Sequence, residues 1–264
     1  MTKPLFLPAL LCALALLGGV RGAEPAAEHL PGLAQLTGKC TPLRAGMKIA
    51  FFGDSITMQG GYIASMRKAL AASPDAKDLK VQLLQHGLNG GRVPTILEGQ
   101  SPWGKLGGTL QELLAKEKPD VVVLFVGVND VWHGAKGTTP EDFEAGLKNM
   151  VTLCKASGAR VVLATLAVIG EKPDGANEHD KKLDQYAALT LKTAAEAKAT
   201  PVNLRKAFVD YLKTHNTNKD AKGQYPRQGI LTYDGVHLSA KGNELVADLI
   251  SQGICKALQQ QTER

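Results

Sequence analysis

The chain has 264 residues, enough for one domain with a sizeable hydrophobic core. Hydrophobic residues make up 44% and charged residues 21%, which excludes a disordered or low-complexity protein. The formal charge of +6 comes from Lys and Arg scattered among Asp and Glu. With no dense basic run, the charge gives a mildly positive soluble surface and no footprint for nucleic acid.

In chain order, the first feature is an apolar stretch from Leu5 to Leu17, preceded by Lys3 and followed by Gly18, Gly19, Val20, Arg21 and Gly22. A charged start, a short apolar segment and small residues after it describe a secretory signal peptide, here residues 1–22. The run is short for a bilayer anchor, which needs about 20 residues, although a retained anchor is the alternative. Val20 and Gly22 suit the positions before a cleavage site. Export to the periplasm or medium, without stable membrane insertion after cleavage, is the expectation. Residues 23–45, rich in Ala, Pro and Gly, read as a linker or loosely packed lead-in, and residues 46–264 as the folded domain. Cys12 lies in the signal segment, so Cys40, Cys154 and Cys255 remain. They allow at most one internal disulfide; Cys154 and Cys255 also suit plain packing on apolar helix faces.

From Lys48 onward, strand-like and helix-like segments alternate. Ile49–Phe52 is an apolar run ending at a glycine. Residues 61–72 carry a helical stripe of Tyr62, Ile63, Met66, Ala69 and Leu70. Val81–Leu84 reads as a second strand and 106–116 as a helix. Val121–Val126 is the continuous apolar run of a strand covered on both faces. Thr139, Pro140 and Asp142 form a helix start, followed by Phe143, Leu147, Met150 and Val151 on one side. Arg160–Leu166 is a strand, 180–198 a helix and Pro201–Leu204 a short fifth strand. Ser239 caps a last helix with the stripe Leu245, Leu249, Ile250 and Ile254. The alternation predicts an α/β three-layer sandwich with a roughly five-stranded parallel sheet of flavodoxin-like topology. In such sheets ligands bind beyond the carboxyl ends of the strands.

Four strand ends or late loops carry polar residues. Gly53-Asp54-Ser55-Ile56 follows the first strand, and a serine at such a turn is presented as a nucleophile, or else caps a helix. Gly87-Leu88-Asn89-Gly90-Gly91-Arg92 follows the second, where glycines let backbone N–H groups approach a ligand or simply form a turn. Gly127-Val128-Asn129-Asp130 follows the third; an asparagine amide joins an oxyanion hole, or caps a turn. Asp234-Gly235-Val236-His237 precedes the last helix. A carboxylate three residues before a histidine fixes its tautomer, unless this is an ordinary Asp-Gly turn.

Taken in this order over roughly residues 46–258, the four blocks resemble the SGNH hydrolases, also called GDSL esterases and lipases. The resemblance implies Ser55 as nucleophile, His237 as general base and Asp234 as its orienting acid. It implies an oxyanion hole from the N–H groups of Ser55 and Gly90 and the side chain of Asn129. Gly90, rather than Gly87 or Gly91, follows the family's usual spacing. Where the family has an asparagine opening the second block, this chain has Gln85 or His86. The activity implied is hydrolysis of carboxylic esters through an acyl-enzyme. O-acetyl groups on carbohydrate are the first expectation; longer acyl esters (lysophospholipase or thioesterase chemistry) and a catalytically silent carbohydrate-binding protein are the alternatives.

Other signals are weaker. Gly99 to Lys105 has phosphate-loop spacing, but Leu106 replaces the required hydroxyl residue. There is no zinc-ligand spacing and no Gly-x-Ser-x-Gly, so no cofactor or metal is expected and the larger α/β-hydrolase arrangement is not indicated. His133 is the rival base, though it lacks a conveniently spaced carboxylate. Arg92 suits a polar substrate or plain solvation. Trp103 and Trp132 suit sugar stacking or packing. The polar segments 171–179 and 215–229 are expected to rim the site.

Overall fold

The apolar runs become strands because each is flanked by stretches whose apolar residues recur at helical spacing and cover it. A computed structural model describes residues 31–38, 43–173, 175–217 and 229–260. Its elements are α1 (Pro31–Thr37), β1 (Lys48–Gly53), α2 (Ser55–Gln59), α3 (Gly61–Ala72), β2 (Gln82–Gly87) and α4 (Val93–Glu98). Next come the short β3 (Gln100–Ser101) and β4 (Gly104–Lys105), then α5 (Leu110–Glu117), β5 (Val121–Phe125), α6 (Val128–Trp132) and α7 (Pro140–Ala156). The chain continues through β6 (Arg160–Ala164), α8 (Asp180–Glu196), β7 (Thr200–Val202), α9 (Leu204–His215) and α10 (Ala240–Gln259).

The main sheet has the order β2-β1-β5-β6-β7, and every pairing in it is parallel. This is the flavodoxin-like order, with the switch point between β1 and β5. Helices α1, α3 and α10 pack together on one face, and α4, α5, α7 and α8 on the other. All five residues of β5 are buried, as its unbroken Val-Val-Val-Leu-Phe run requires. Burial of each such side chain contributes about 1.5–3 kcal/mol, so this strand anchors the core.

Local chemistry sets the helix ends. The Thr139 hydroxyl accepts from the Asp142 N–H at 3.1 Å, and the Ser239 hydroxyl from the Gly242 N–H at 3.1 Å, as the cap pattern implied. The helix expected from residue 106 starts later, at Leu110. Thr109 and Glu112 form a reciprocal capping box there, after Gly107 has taken a left-handed φ of 88°. The strand expected to reach Leu204 ends at Val202, because the Asn203 side chain accepts from the Lys206 N–H and starts α9. The decoy glycine-lysine segment forms the β3–β4 hairpin.

Part of the segment read as a lead-in is packed. Leu33 and Leu36 of α1 are buried, and α1 lies against α10. The Gly32 and Leu33 N–H groups both donate to the Asp248 carboxylate, which caps α1 from 216 and 215 residues away. Cys154 and Cys255 are buried in α7 and α10, and burial pushes the Cys154 thiol up to about 12. The apolar N-terminal segment and Cys40 lie outside the described residues. Among those described, no helix is long and apolar enough to cross a membrane.

Two glycines bring the first turn against the sheet. A Cβ on Gly53 would lie 2.1 Å from the Thr57 hydroxyl and 2.4 Å from the Phe125 carbonyl. One on Gly87 would lie 1.9 Å from the Met58 nitrogen. Because backbone cannot yield as a flexible side chain does, Gly87→Ala is expected to destabilise the fold by roughly 1–3 kcal/mol. Urea unfolding checks this; an unchanged midpoint would contradict the close packing of α2 on β2.

Candidate active site

The ends of β1, β2 and β5 lie side by side, with Gly53 paired to Gly87 on one side and to Phe125 on the other. Each strand therefore delivers its following loop to one edge of the sheet. After β1, the Asp54 carboxylate caps α2 by accepting from the Ile56 N–H at 2.9 Å. This turn presents Ser55, which is half-buried.

The loop before α10 comes to the same place. Its residues Thr232 and Leu238 form an antiparallel bridge, and the Tyr233 N–H donates to the His237 carbonyl at 2.9 Å. Within that closed loop, Gly235 takes a φ of 95°. Asp234 accepts from the Val236 and His237 N–H groups through one oxygen, at 2.9 and 2.8 Å. Its other oxygen lies 2.6 Å from His237 Nδ1. An ionised carboxylate only accepts, so Nδ1 carries the hydrogen and Nε2 is left with a free lone pair. Ser55 Oγ lies 2.9 Å from that Nε2 and donates to it. Partial burial pushes the Asp234 carboxyl up. The hydrogen bonds from the His237 ring and from the two N–H groups outweigh it and hold it below its ordinary range.

The remaining sequence candidates sort clearly. Asn129 lies in α6 and is nearly buried; its Nδ2 donates to the Gly91 carbonyl at 3.1 Å. An amide nitrogen carries two hydrogens, so the second stays available. The Gly91 N–H donates to the Leu88 carbonyl, and Gly87 is committed to the β2 ladder. Gly90, between them, takes a φ of 62° and lies under the Trp103 ring, where an added Cβ would sit 2.2 Å from it.

His133 ends α6 and stacks on Trp103, with ring centroids 5.9 Å apart, while the carboxylate-oriented histidine is His237. Arg92 donates to the Lys136 carbonyl. His86 stacks on Phe52 and pairs with Glu117 at 2.8 Å. Gln85 donates to the Thr57 and Met58 carbonyls and ties α2 to β2.

Three features were not read from the sequence. Tyr233 is 54% exposed and stacks on His237 at 5.8 Å, while Gln59 donates to its hydroxyl at 2.8 Å. Trp103 and Trp132, which the sequence already offered for stacking or packing, are 60% and 38% exposed, and Trp103 covers Gly90. Glu171, expected on a polar rim, is fully buried instead. Asp54 and Asp130 form a buried acidic pair behind the serine. Asp130 accepts from the Val93 N–H and the Thr138 hydroxyl. Loss of solvation pushes Asp54 up to about 7, with the charge of Asp130 adding to it against the pull of His237. Burial likewise pushes Asp130 up to about 6.

Comparison with known proteins fits this geometry. A family model described as GDSL-like Lipase/Acylhydrolase matches residues 51–245. The chain is 27% identical over 228 residues to an acetylxylan esterase of Geobacillus stearothermophilus, covering 77% of this chain and 91% of that protein. It is 27% identical over 217 residues to an arylesterase of Vibrio mimicus, covering 81% and 92%. A crystal structure of an acetyl xylan esterase, AlAXEase, superposes with a TM-score of 0.67 at 33% identity, covering 77% of this chain and 98% of that one.

The acidic pair has a consequence for stability. Unfolded, both carboxyls titrate near 3.9, roughly. Folded, they hold protons to about 7 and about 6, so the stability they contribute is full at low pH and is lost as pH rises through that range. Between pH 5 and 8 the melting temperature is therefore expected to fall less in Asp54→Asn than in the wild type. Parallel curves from thermal scans over that window would contradict the assignment.

Proposed function

The chain belongs to the GDSL-like lipase/acylhydrolase family, a serine hydrolase acting on esters, and on that premise we propose that Ser55, His237 and Asp234 cleave O-acetyl esters of carbohydrates. The observation that carries the residue roles is the unbroken hydrogen-bond chain from Ser55 Oγ through the His237 ring to Asp234.

His237 Nε2 takes the Ser55 proton as Oγ attacks the ester carbonyl carbon. Asp234 keeps the Nδ1–H oriented and stabilises the imidazolium that forms. The negative oxygen of the tetrahedral intermediate meets the N–H groups of Ser55 and Gly90 and the second hydrogen of Asn129 Nδ2. Collapse breaks the bond to the alcohol, which leaves with the proton from His237. Water then attacks the acyl-serine, with His237 again as base, and releases the acid.

The substrate assignment draws on two relatives named as acetylxylan esterases and on the aromatic flanks. Trp103 lies against Gly90 and Tyr233 against His237, so a ring bearing the ester would meet an aromatic face on either side of the reacting carbon. Reading the N-terminal apolar segment as an export signal would bring the enzyme to polysaccharides outside the cell.

Asn129→Ala is expected to lower turnover on 4-nitrophenyl acetate by about 10²–10³, the usual cost of one oxyanion donor. Unchanged turnover would remove Asn129 from the mechanism. For the substrate, kcat/KM on acetyl esters is expected to exceed that on octanoyl esters by at least ~10-fold. Trp103→Ala is expected to raise KM for acetylated xylo-oligosaccharides severalfold, about 1 kcal/mol, with kcat on 4-nitrophenyl acetate little changed. Preference for the long acyl chain would favour the lysophospholipase or thioesterase alternative.

A further inference from the structure

The loop that carries Asp234 and His237 is closed on itself by the Thr232–Leu238 bridge, the Tyr233 N–H on the His237 carbonyl and the Asp234 side chain on two N–H groups, while Ser239 donates to the Ile230 and Leu231 carbonyls. Its near end is also held from elsewhere. The Glu171 side chain enters it fully buried and, among the described residues, accepts four hydrogen bonds from three consecutive residues. One carboxylate oxygen accepts from the Ile230 N–H at 2.9 Å. The other accepts from the Leu231 N–H at 2.8 Å, the Thr232 N–H at 2.5 Å and the Thr232 hydroxyl at 2.7 Å.

The contacts run further. The neighbouring Gly170 N–H donates to the Gly235 carbonyl at 2.7 Å, inside the Asp-x-x-His turn itself. Asn216, just after α9, donates to the Glu171 carbonyl. Glu171 thus joins the segment after β6 and the end of α9 to the loop before α10. A buried carboxylate is costly unless it is well hydrogen-bonded, and here three of the four donors are backbone groups that need an acceptor. Four donors converging on one anion fix both the height and the twist of residues 230–232.

We infer that Glu171 is a positioning residue for the Asp234–His237 loop, holding the imidazole in register with Ser55 by anchoring residues 230–232. This rests on the catalytic roles proposed above for Asp234 and His237. Glu171 lies 63 residues before Asp234 in sequence, and it acts through the backbone, without touching the ester. Thr232 belongs to the same clamp, since among the described residues its hydroxyl is the one side-chain donor to Glu171.

Glu171→Gln tests the inference with minimal change of shape. The amide keeps one acceptor oxygen but turns an N–H₂ toward backbone donors, so at least one of them loses its partner. On 4-nitrophenyl acetate, kcat is expected to fall about 10–100-fold, as misplacement of reacting groups costs, with KM within about threefold. The acid limb of the kcat/KM–pH profile is expected to move to lower pH by about 0.5, because a slackened Asp234 favours the imidazolium less. His237 otherwise faces Ser55, the charge of Asp54 and the stacked ring of Tyr233, none of which the substitution alters.

A merely structural role would lower the melting temperature but leave kcat and the acid limb of the folded enzyme unchanged. That result overturns the inference. Should Glu171→Gln not fold, Thr232→Val removes only the hydroxyl donor, and about a threefold to tenfold loss of kcat with the same displacement of the acid limb is expected. Wild-type kcat and profile in that variant likewise overturn it. Ser55→Ala and His237→Ala run alongside: activity surviving in either defeats the triad reading itself, whereas loss in both with an unaffected Glu171→Gln defeats the clamp alone.

Discussion

Everything in this molecule turns on a contact between residues 182 positions apart, the hydrogen bond from Ser55 Oγ to His237 Nε2. Neither residue is unusual alone. The serine begins a five-residue helix and the histidine sits in a turn. They meet because a parallel sheet puts the carboxyl ends of all its strands on one edge, and because α10 returns the chain across the face that α1 and α3 also cover. The hydrogen bond is useful only if the imidazole holds one tautomer, and Asp234 supplies that condition.

Three buried carboxylates hold this edge in shape. Asp54 caps the serine turn, Asp130 joins the Val93 N–H to the Thr138 hydroxyl, and Glu171 collects the donors of residues 230–232. Each is buried and accepts hydrogen bonds from groups that would otherwise be buried without partners; at Asp54 and Asp130 these bonds offset only part of the burial, which still holds both carboxyls above their ordinary range. The Gly91 carbonyl does similar service for the Asn129 amide, coupling the loop after β2 to the helix after β5. The site is thus assembled from segments that are tied to one another as well as to the sheet.

Much of this was legible in the sequence, because the relevant patterns are local. The Val121–Val126 run, the Thr139-Pro140 and Ser239 helix starts and the Asp234-x-x-His237 turn each declare themselves within a few residues. The α9 helix was legible too but passed unread: Asn203 caps it, and Leu204, Phe208 and Leu212 recur every fourth residue. Glu171 could not be read, since its polar neighbours suggest a rim and its partners lie 59 to 61 residues away. The same holds for Asp248, which caps a helix at the other end of the chain. Exposure of Trp103 and the stacking of Tyr233 on His237 are likewise properties of the folded surface.

The direct test of the central contact is covalent capture. A fluorophosphonate is attacked only by an activated hydroxyl, so peptide mapping by mass spectrometry after brief exposure reports which serine is activated and by what. The expected result is one adduct, on Ser55, formed in the wild type and lost over the same interval in His237→Ala. An adduct on another residue, or equal labelling of Ser55 without the imidazole, would contradict the account.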